Sequence, residues 1–222
     1  MRWTSASPPD AATAAQVAAG FIARVLRAAV SRRGTATLAL SGGRTPAAMV
    51  DDLAGSGVDW RRVGVWQVDE RVAPDGDPAR NAGLLAPLAD AGARLHLMPV
   101  TAGDRGGGPP STASLPAQLD LVHLGLGDDG HTASWPPGTD VAEQPGLVAW
   151  CPEYAGRERL TLTAAAVNAA RRRLVLAPAR RRRPRWKVGC WATWRCRSST
   201  FAAPARSSWW TAAAAARAGV AG

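Results

Sequence analysis

His131 is the side chain in this sequence best suited to exchange a proton with a substrate. It lies in a polar, glycine-rich stretch, Gly127–Ser134, which directly follows the apolar run Leu119–Leu124. An imidazole titrates near neutrality and can take a proton from water. His96 and His123 lie inside apolar strand patterns, where we expect structural roles. We therefore predict that His131 is the general base.

A second chemical feature is the loop Ser41–Pro46, which lies between an apolar run and a predicted helix. Its two glycines permit close backbone approach, and the amides of a helix N-terminus attract an anion. The hydroxyls of Ser41 and Thr45 and the guanidinium of Arg44 suit a phosphate group. An ordinary turn between a strand and a helix, with an exposed arginine, is the alternative that this loop alone leaves open.

A third feature is the charged triplet Asp69-Glu70-Arg71, which follows the apolar run Val63–Val68. Charged groups at the end of a buried strand need solvent or partners, because unpaired burial is costly. The carboxylates could orient a base or hydroxyl groups, and the arginine could bind an anion. A solvated strand end with a local ion pair is the alternative. Asn81 follows closely enough to serve the same site.

The segment Gly125–Gly130 fits the G-x-G-x-x-G pattern of dinucleotide-binding loops. We discount that interpretation because two aspartates would face the pyrophosphate. Pro136 and Pro137 also leave no room for a long following helix. The glycines are instead expected to form a turn that presents His131.

These loops must be positioned by alternating strands and helices. The sequence predicts a helix over Asp10–Val30 that ends near Gly34, a helix opened by Pro46 and another over Arg80–Ala89. The predicted strands are Thr35–Leu40, Val63–Val68, Arg94–Val100, Leu119–Leu124, Leu147–Cys151, Leu160–Leu162 and Leu174–Leu176. This alternation predicts a single α/β domain with a mostly parallel, Rossmann-like sheet flanked by helices. Ligands bind such folds beyond the carboxyl ends of the strands, where all three polar loops lie.

Together these motifs resemble the 6-phosphogluconolactonase family, within a wider group that includes the glucosamine-6-phosphate isomerases. The motifs that carry the resemblance are Thr37–Pro46, Trp66–Arg71, the cluster of Asp77, Arg80 and Asn81, and Leu119–Gly138, with a weaker match over Arg157–Pro178. The resemblance covers about residues 10–178 and predicts a lactonase-like domain over residues 1–178.

The resemblance implies hydrolysis of 6-phosphoglucono-δ-lactone to 6-phosphogluconate, with no metal and no cofactor. It implies catalytic roles for His131, Asp69 and Arg71. The implied substrate-binding residues are Ser41, Gly42, Gly43, Arg44, Thr45, Glu70, Asn81, Gly127, Gly130 and Thr132. The alternatives are a sugar-phosphate isomerase and a non-catalytic sugar-phosphate sensor on the same fold.

The charge of the chain is unevenly distributed. The sequence has 27 basic and 17 acidic side chains, a formal net charge of +10, yet all the acidic residues lie at or before Glu158. The segment 179–222 is rich in arginine and tryptophan and shows no helical period and no strand alternation. Arginines bind phosphates and indoles stack on bases, so a nucleic-acid-binding tail is one interpretation.

We favour a different explanation for this segment, a single-base slip in the coding sequence near Pro178. Cys190–Cys196, back-translated with GC-rich codons and read two bases later, gives Leu-Gly-Asp-Leu-Ala-Leu-Pro. The run Arg206–Thr211 likewise permits Leu-Val-Val-Val-Asp. The hypothesis predicts a poorly ordered tail that lacks the final helix, the final strand and a phosphate-binding lysine of the fold.

The remaining composition suggests a cytoplasmic protein. The three cysteines show no C-x-x-C spacing, so a reducing compartment is expected. No apolar stretch is expected to approach the roughly 20 residues that span a bilayer, and no secretory signal is apparent. We expect a small-molecule lactone as the partner, no nucleic acid or membrane, and a monomer or small homo-oligomer.

Overall fold

Residues 10–100, 115–127, 129–177 and 208–211 are described by a computed structural model. For Arg44, Thr45 and residues 208–211 the backbone alone is described. The helices are α1 (Ala11–Arg33), α2 (Arg44–Ala54), α3 (Ala86–Asp90) and α4 (Ala164–Ala169). The strands are β1 (Ala36–Leu40), β2 (Val63–Gln67), β3 (Asp69–Arg71), β4 (Arg94–His96), β5 (Leu121–Gly125), β6 (Val148–Tyr154), β7 (Arg157–Leu162), β8 (Arg172–Leu176) and β9 (Ser208–Thr211).

The central sheet confirms the predicted parallel architecture. Its order is β4-β2-β1-β5-β8-β9, and each neighbouring pair is parallel. Leu40, the last residue of β1, pairs with Gln67 on one side and His123 on the other. The loops that leave β1, β2 and β5 therefore start from one edge of the sheet.

Helix α1 has the start and end signals that its sequence predicts. The Asp10 carboxylate accepts a hydrogen bond from the Thr13 amide at 2.7 Å, as an N-cap does. Gly34 ends the helix with φ of 78°, a left-handed conformation that favours glycine.

The expectation that no segment approaches membrane-spanning length is wrong for this helix. Among the described residues α1 alone is long and apolar enough, by length and composition, to cross a membrane. Phe21, Ile22 and Leu26 on α1 are nevertheless buried, and they pack with Met49 and Leu53 of α2. In this fold α1 serves as a core helix.

A second, antiparallel sheet was not predicted. Its order is β3-β7-β6, and it packs against the opposite face of the central sheet from α1 and α2. Val122 and Leu124 of β5 share an apolar cluster with Cys151, Leu160 and Leu162 of this small sheet. The sequence hides it because β3 has three residues, all charged, so no apolar period marks it.

Two predicted boundaries also differ. The helix predicted over Arg80–Ala89 is a 3₁₀ segment, Asn81–Leu85, followed by the short helix α3. The strand predicted over Arg94–Val100 ends at His96. Leu88 is fully buried, so tertiary packing has shaped this region more than helix propensity.

The expectation of a tail without a strand is wrong at one place. Ser208–Thr211 form β9, which pairs in parallel with β8 from Arg172↔Ser208 to Val175↔Thr211. These residues lie within the run for which the shifted frame gives Leu-Val-Val-Val-Asp. The rest of residues 179–222 lies outside the described chain, and the frame slip stays a hypothesis. An intact reading frame in the gene, with peptide masses that match Arg185–Arg206, would overturn it.

Candidate active site

The loops after β1 and β5 lie against each other at the carboxyl edge of the sheet. A Cβ added to Gly125 would stand 4.0 Å from the carbonyl oxygen of Gly42. Ser41 is buried, and its hydroxyl has no hydrogen-bond partner within the described part of the chain. Gly43, with φ of 118°, turns the chain into α2. The predicted roles of the Arg44 and Thr45 side chains lie outside the described structure.

Asn81 connects the loop after β1 to the triplet after β2. A Cβ added to Gly42 would lie 1.8 Å from Oδ1 of Asn81, so only glycine permits this approach. The Asn81 side-chain amide donates to the Asp69 carbonyl oxygen at 2.9 Å. The structure therefore brings the predicted residues Gly42, Asn81 and Asp69 together.

Glu70 is fully buried and acts as an anchor for its neighbours. Its carboxylate accepts hydrogen bonds from the side-chain amide of Gln67 and from three backbone amides, those of Arg71, Asn81 and Ala82, at 2.6 to 2.9 Å. The Arg80 guanidinium adds an ion pair at 3.1 Å. With these contacts Glu70 holds the segments that carry Arg71 and Asn81 in place and lies behind them.

Asp69 is buried beside two arginines. Its carboxylate accepts a hydrogen bond from the Ser134 hydroxyl at 2.8 Å, which joins β3 to the loop that carries His131. Burial raises the pKa of Asp69, although the Ser134 hydrogen bond and the charges of Arg71 and Arg159 act in the opposite direction. Asp69 is thus held more ready to accept a proton than an exposed aspartate.

Arg159 is a residue of this cluster that the sequence did not indicate. It pairs across the antiparallel ladder with Arg71, is 7% exposed and lies close enough to Asp69 to interact with its charge. Two guanidinium groups beside one carboxylate form a site for an anion. The strand that carries Arg159 could be read from the sequence, but the strand β3 with which it pairs could not.

His131 is held by the Asp129 carboxylate. Oδ1 of Asp129 lies 2.5 Å from Nδ1 of His131 and also accepts the His131 backbone amide at 3.2 Å. With Nδ1 donating to the carboxylate, Nε2 becomes the proton acceptor of the neutral ring. A Cβ added to Gly127 would lie 2.2 Å from the His131 ring, so glycine is required there.

Asp129 has a second partner that the sequence also did not indicate. The Tyr154 hydroxyl, at the end of β6, donates to Oδ2 of Asp129. Desolvation acts to raise the pKa of Asp129, but the hydrogen bonds from Tyr154 and His131 outweigh it and lower that pKa to about 2. The carboxylate is therefore charged at neutral pH. The pairing of Asp129 with His131 could have been predicted because the two lie two residues apart, whereas no local sequence signal indicates the contact with Tyr154.

The remaining predicted residues shape the loop around His131. The Thr132 hydroxyl donates to the Gly125 carbonyl oxygen at 2.7 Å. The Gly130 amide donates to the Gly127 carbonyl oxygen at 3.0 Å, in a turn where Gly130 has φ of 93°. Neither of the other histidines contributes here: His123 is buried in β5, and His96 stacks on Trp66 with ring centroids 4.1 Å apart.

No group of three or more His, Cys, Asp or Glu side chains in the described residues could hold a metal ion. The arrangement is a histidine polarised by a carboxylate, on a loop that Ser134 joins to a buried aspartate flanked by two arginines. Such a site can move a proton to and from water and stabilise a developing negative charge.

Residues 9–189 match the family described as glucosamine-6-phosphate isomerases/6-phosphogluconolactonase. The chain belongs to this family. It is 38% identical over 164 residues to a 6-phosphogluconolactonase of Rhizobium meliloti, covering 67% of this chain and 71% of that relative. It is also 38% identical over 174 residues to a 6-phosphogluconolactonase of Mesorhizobium japonicum, covering 72% and 73%. The resemblance inferred from the motifs is confirmed.

The fold is confirmed by a solved structure. The crystal structure of a 6-phosphogluconolactonase from Shewanella baltica matches with a TM-score of 0.73 at 24% identity, covering 95% of this chain and 98% of that one. At this identity the likeness concerns the fold. It agrees with the mainly parallel sheet described above.

Proposed function

We propose that this chain hydrolyses 6-phospho-D-glucono-1,5-lactone to 6-phosphogluconate, in the oxidative branch of the pentose phosphate pathway. Family membership and the curated relatives support this function. The single observation that carries the chemistry is the 2.5 Å contact between Asp129 and His131 at the carboxyl end of β5. This contact leaves Nε2 of His131 as the proton acceptor of the ring, on the loop that follows β5.

In the proposed reaction, Nε2 of His131 takes a proton from a water molecule as the water oxygen attacks the lactone carbonyl carbon. The carbonyl π electrons move to its oxygen and form a tetrahedral oxyanion. That oxyanion then collapses, the bond to the ring oxygen breaks, and the imidazolium returns its proton to the departing ring oxygen. The carboxylic acid formed in this step loses its remaining proton to solvent, which gives the carboxylate of 6-phosphogluconate. Asp129 stabilises the imidazolium between the two steps.

Two parts of the site bind negatively charged groups of the substrate in this proposal. Arg71 and Arg159 lie beside Asp69, where they can stabilise the oxyanion or hold the product carboxylate. The loop Ser41–Thr45 and the amides at the start of α2 bind the 6-phosphate. Asn81, which packs on Gly42, sets the distance between these two parts.

We further propose a cytoplasmic location, a sugar-phosphate lactone as the small-molecule partner, and a monomer or small homo-oligomer. Size-exclusion chromatography with light scattering measures the last of these. A mass above that of a small oligomer would contradict it.

The isomerase alternative rests on Asp69, since burial raises its pKa and so suits it to proton transfer on a ring-opened amino sugar. The discriminating experiment presents fresh 6-phosphogluconolactone and glucosamine 6-phosphate to the full chain in parallel. We expect release of acid from the lactone above its spontaneous rate and no release of ammonia from the amino sugar. The reverse pattern would assign the isomerase function, and binding of both without turnover would assign a sensor.

A further inference from the structure

We propose that Tyr154 is a positioning residue for the general base, acting through the Asp129 carboxylate to fix the orientation of the His131 ring. The kinetic part of this inference rests on the proposed lactonase function. Its spectroscopic part does not, because it concerns only whether Tyr154, Asp129 and His131 contact one another in the protein without substrate.

The geometry places the Tyr154 hydroxyl against both members of the base. It donates to Oδ2 of Asp129 and lies 3.0 Å from Nδ1 of His131. The two rings meet edge to face, with centroids 5.3 Å apart and an interplanar angle of 76°. One phenol therefore limits both the rotation of the carboxylate and the tilt of the imidazole.

Without Tyr154, Asp129 would be poorly restrained. The Asp129 side chain is 46% exposed, and its other hydrogen bonds within the described residues are with the backbone and ring of His131, two residues away. Tyr154 stands at the end of β6, a strand of the small sheet, and so ties a surface turn to a rigid element. Restraint of this kind is what precise proton transfer requires.

The backbone and ring of Tyr154 are in turn held by Arg159. The Arg159 guanidinium donates through Nε to the Tyr154 carbonyl oxygen at 3.2 Å and lies 5.0 Å above the centre of the ring. Besides Asp129, the charged or titratable groups of the described residues that face Tyr154 are His131, Arg159 and Cys151. Burial and the neighbouring carboxylate raise the pKa of Tyr154 to about 12, so the phenol keeps its proton and remains a donor.

The direction of the effect on the reaction follows from this hydrogen bond. Donation from Tyr154 withdraws negative charge from the Asp129 carboxylate. Removal of the hydroxyl leaves a more basic carboxylate, which holds the His131 imidazolium more strongly. The low-pH limb of the activity profile then moves to higher pH, and the less restrained ring transfers protons more slowly.

The first test compares the full chain with its Tyr154→Phe variant, which keeps the ring and removes the hydroxyl. We expect kcat for the lactone to fall about tenfold while KM changes less than about twofold. We expect the midpoint of the low-pH limb to rise by about half a pH unit. Trp150→Phe, on the same strand and opposite Leu160, is the matched control, expected to stay within about twofold of the parent.

The second test uses the fact that Tyr154 is the sole tyrosine of the chain. Incorporation of tyrosine labelled with ¹³C at the ring carbon that bears the hydroxyl gives one NMR signal. We expect this signal to shift with pH in a step whose midpoint equals that of the His131 ring signal, and the step to vanish in His131→Gln.

The outcomes separate the two claims. Coupled titration without lactone turnover would uphold the positioning role and reject the lactonase function. A Tyr154 chemical shift that does not change as His131 titrates would overturn the positioning role. So would a Tyr154→Phe variant with the parental kcat and low-pH limb.

Discussion

The Asp129 carboxylate meets Nδ1 of His131 at 2.5 Å, while its other oxygen accepts the Tyr154 hydroxyl. This pairing decides which nitrogen of the ring can act as a base. It also keeps the base charge-balanced after it has taken a proton. Substitutions of Asp129 and Gly127 test this relationship directly.

Asp129→Asn should retain the fold and lose most of the activity. An asparagine amide can donate to Nδ1, which would place the ring proton on Nε2, where the base is needed. By analogy with the aspartate of a serine-protease triad, kcat should fall between about 10²-fold and 10⁴-fold, with a smaller change in KM. Steady-state kinetics measure the fall. Asp90→Asn, at the end of α3, is a control of the same chemistry.

Asp129 should also make stability depend on pH. Its pKa is lowered to about 2 in the folded chain from an ordinary value of 3.8. The stabilisation is therefore fully present above about pH 4 and is lost as the pH falls toward about 2. Thermal unfolding midpoints between pH 2 and pH 6 should decline more steeply for the parent chain than for Asp129→Asn. Parallel curves would contradict the folded-state contacts of this carboxylate.

Gly127→Ala should damage the site more than the fold. The added methyl would lie 2.2 Å from the His131 ring, so the ring must move away from Asp129. We expect a fall in kcat of at least about tenfold, because small displacements of a positioned base are costly.

Gly20→Ala in α1 is the matched control, since a Cβ there meets nothing within 4 Å. It should raise stability by about 0.5–1 kcal/mol and leave turnover unchanged. Equal activity of both variants would show that the ring position does not depend on Gly127.

Glu70→Gln should destabilise the chain. Glu70 is fully buried, receives four hydrogen bonds and pairs with Arg80. Removal of its charge takes a buried counter-charge away from the Arg80 guanidinium and turns an amide group toward donors, at a cost of about 3–5 kcal/mol. Chemical denaturation measures the loss. Glu153→Gln, at an exposed position on β6, should change stability by less than about 0.5 kcal/mol.

Much of the fold could be predicted because parallel strands carry a strong local signal. Leu38, Val65 and Leu121 lie in apolar runs that are buried, and the polar loops that follow such runs meet at one edge of the sheet. The helix caps at Asp10 and Gly34 are likewise local features. For these elements the sequence-based expectations and the structure agree closely.

The small antiparallel sheet and the contact of Tyr154 with Asp129 could not be predicted in the same way. β3 contains only Asp69, Glu70 and Arg71, and it pairs with a strand far along the chain, where Asp69 lies opposite Thr161. Tyr154 reaches Asp129 only because β6 and β7 form that sheet. Contacts of this kind depend on tertiary pairing, which no local period reveals.

The same difference between local signals and tertiary contacts applies to the individual loop residues. The position of His131 on a turn could be predicted because adjacent glycines encode that turn, while its role as the base stays a prediction. Glu70 could not be told from a pocket residue until its burial was known, since exposed and buried carboxylates look alike in a sequence. Its contacts with Arg71 and Asn81 make it the support of the site.

The most direct test of the proposed mechanism is lactone turnover by this chain and by a version in which the proposed single-base slip near Pro178 is corrected. Each is compared with its His131→Gln variant. Fresh 6-phosphogluconolactone would be used, with the spontaneous rate subtracted and His96→Gln as the histidine control. We predict catalysis that His131→Gln reduces by at least about 10³-fold and His96→Gln leaves intact. Folded chains that show no turnover in either version, or equal turnover with and without His131, would contradict the mechanism.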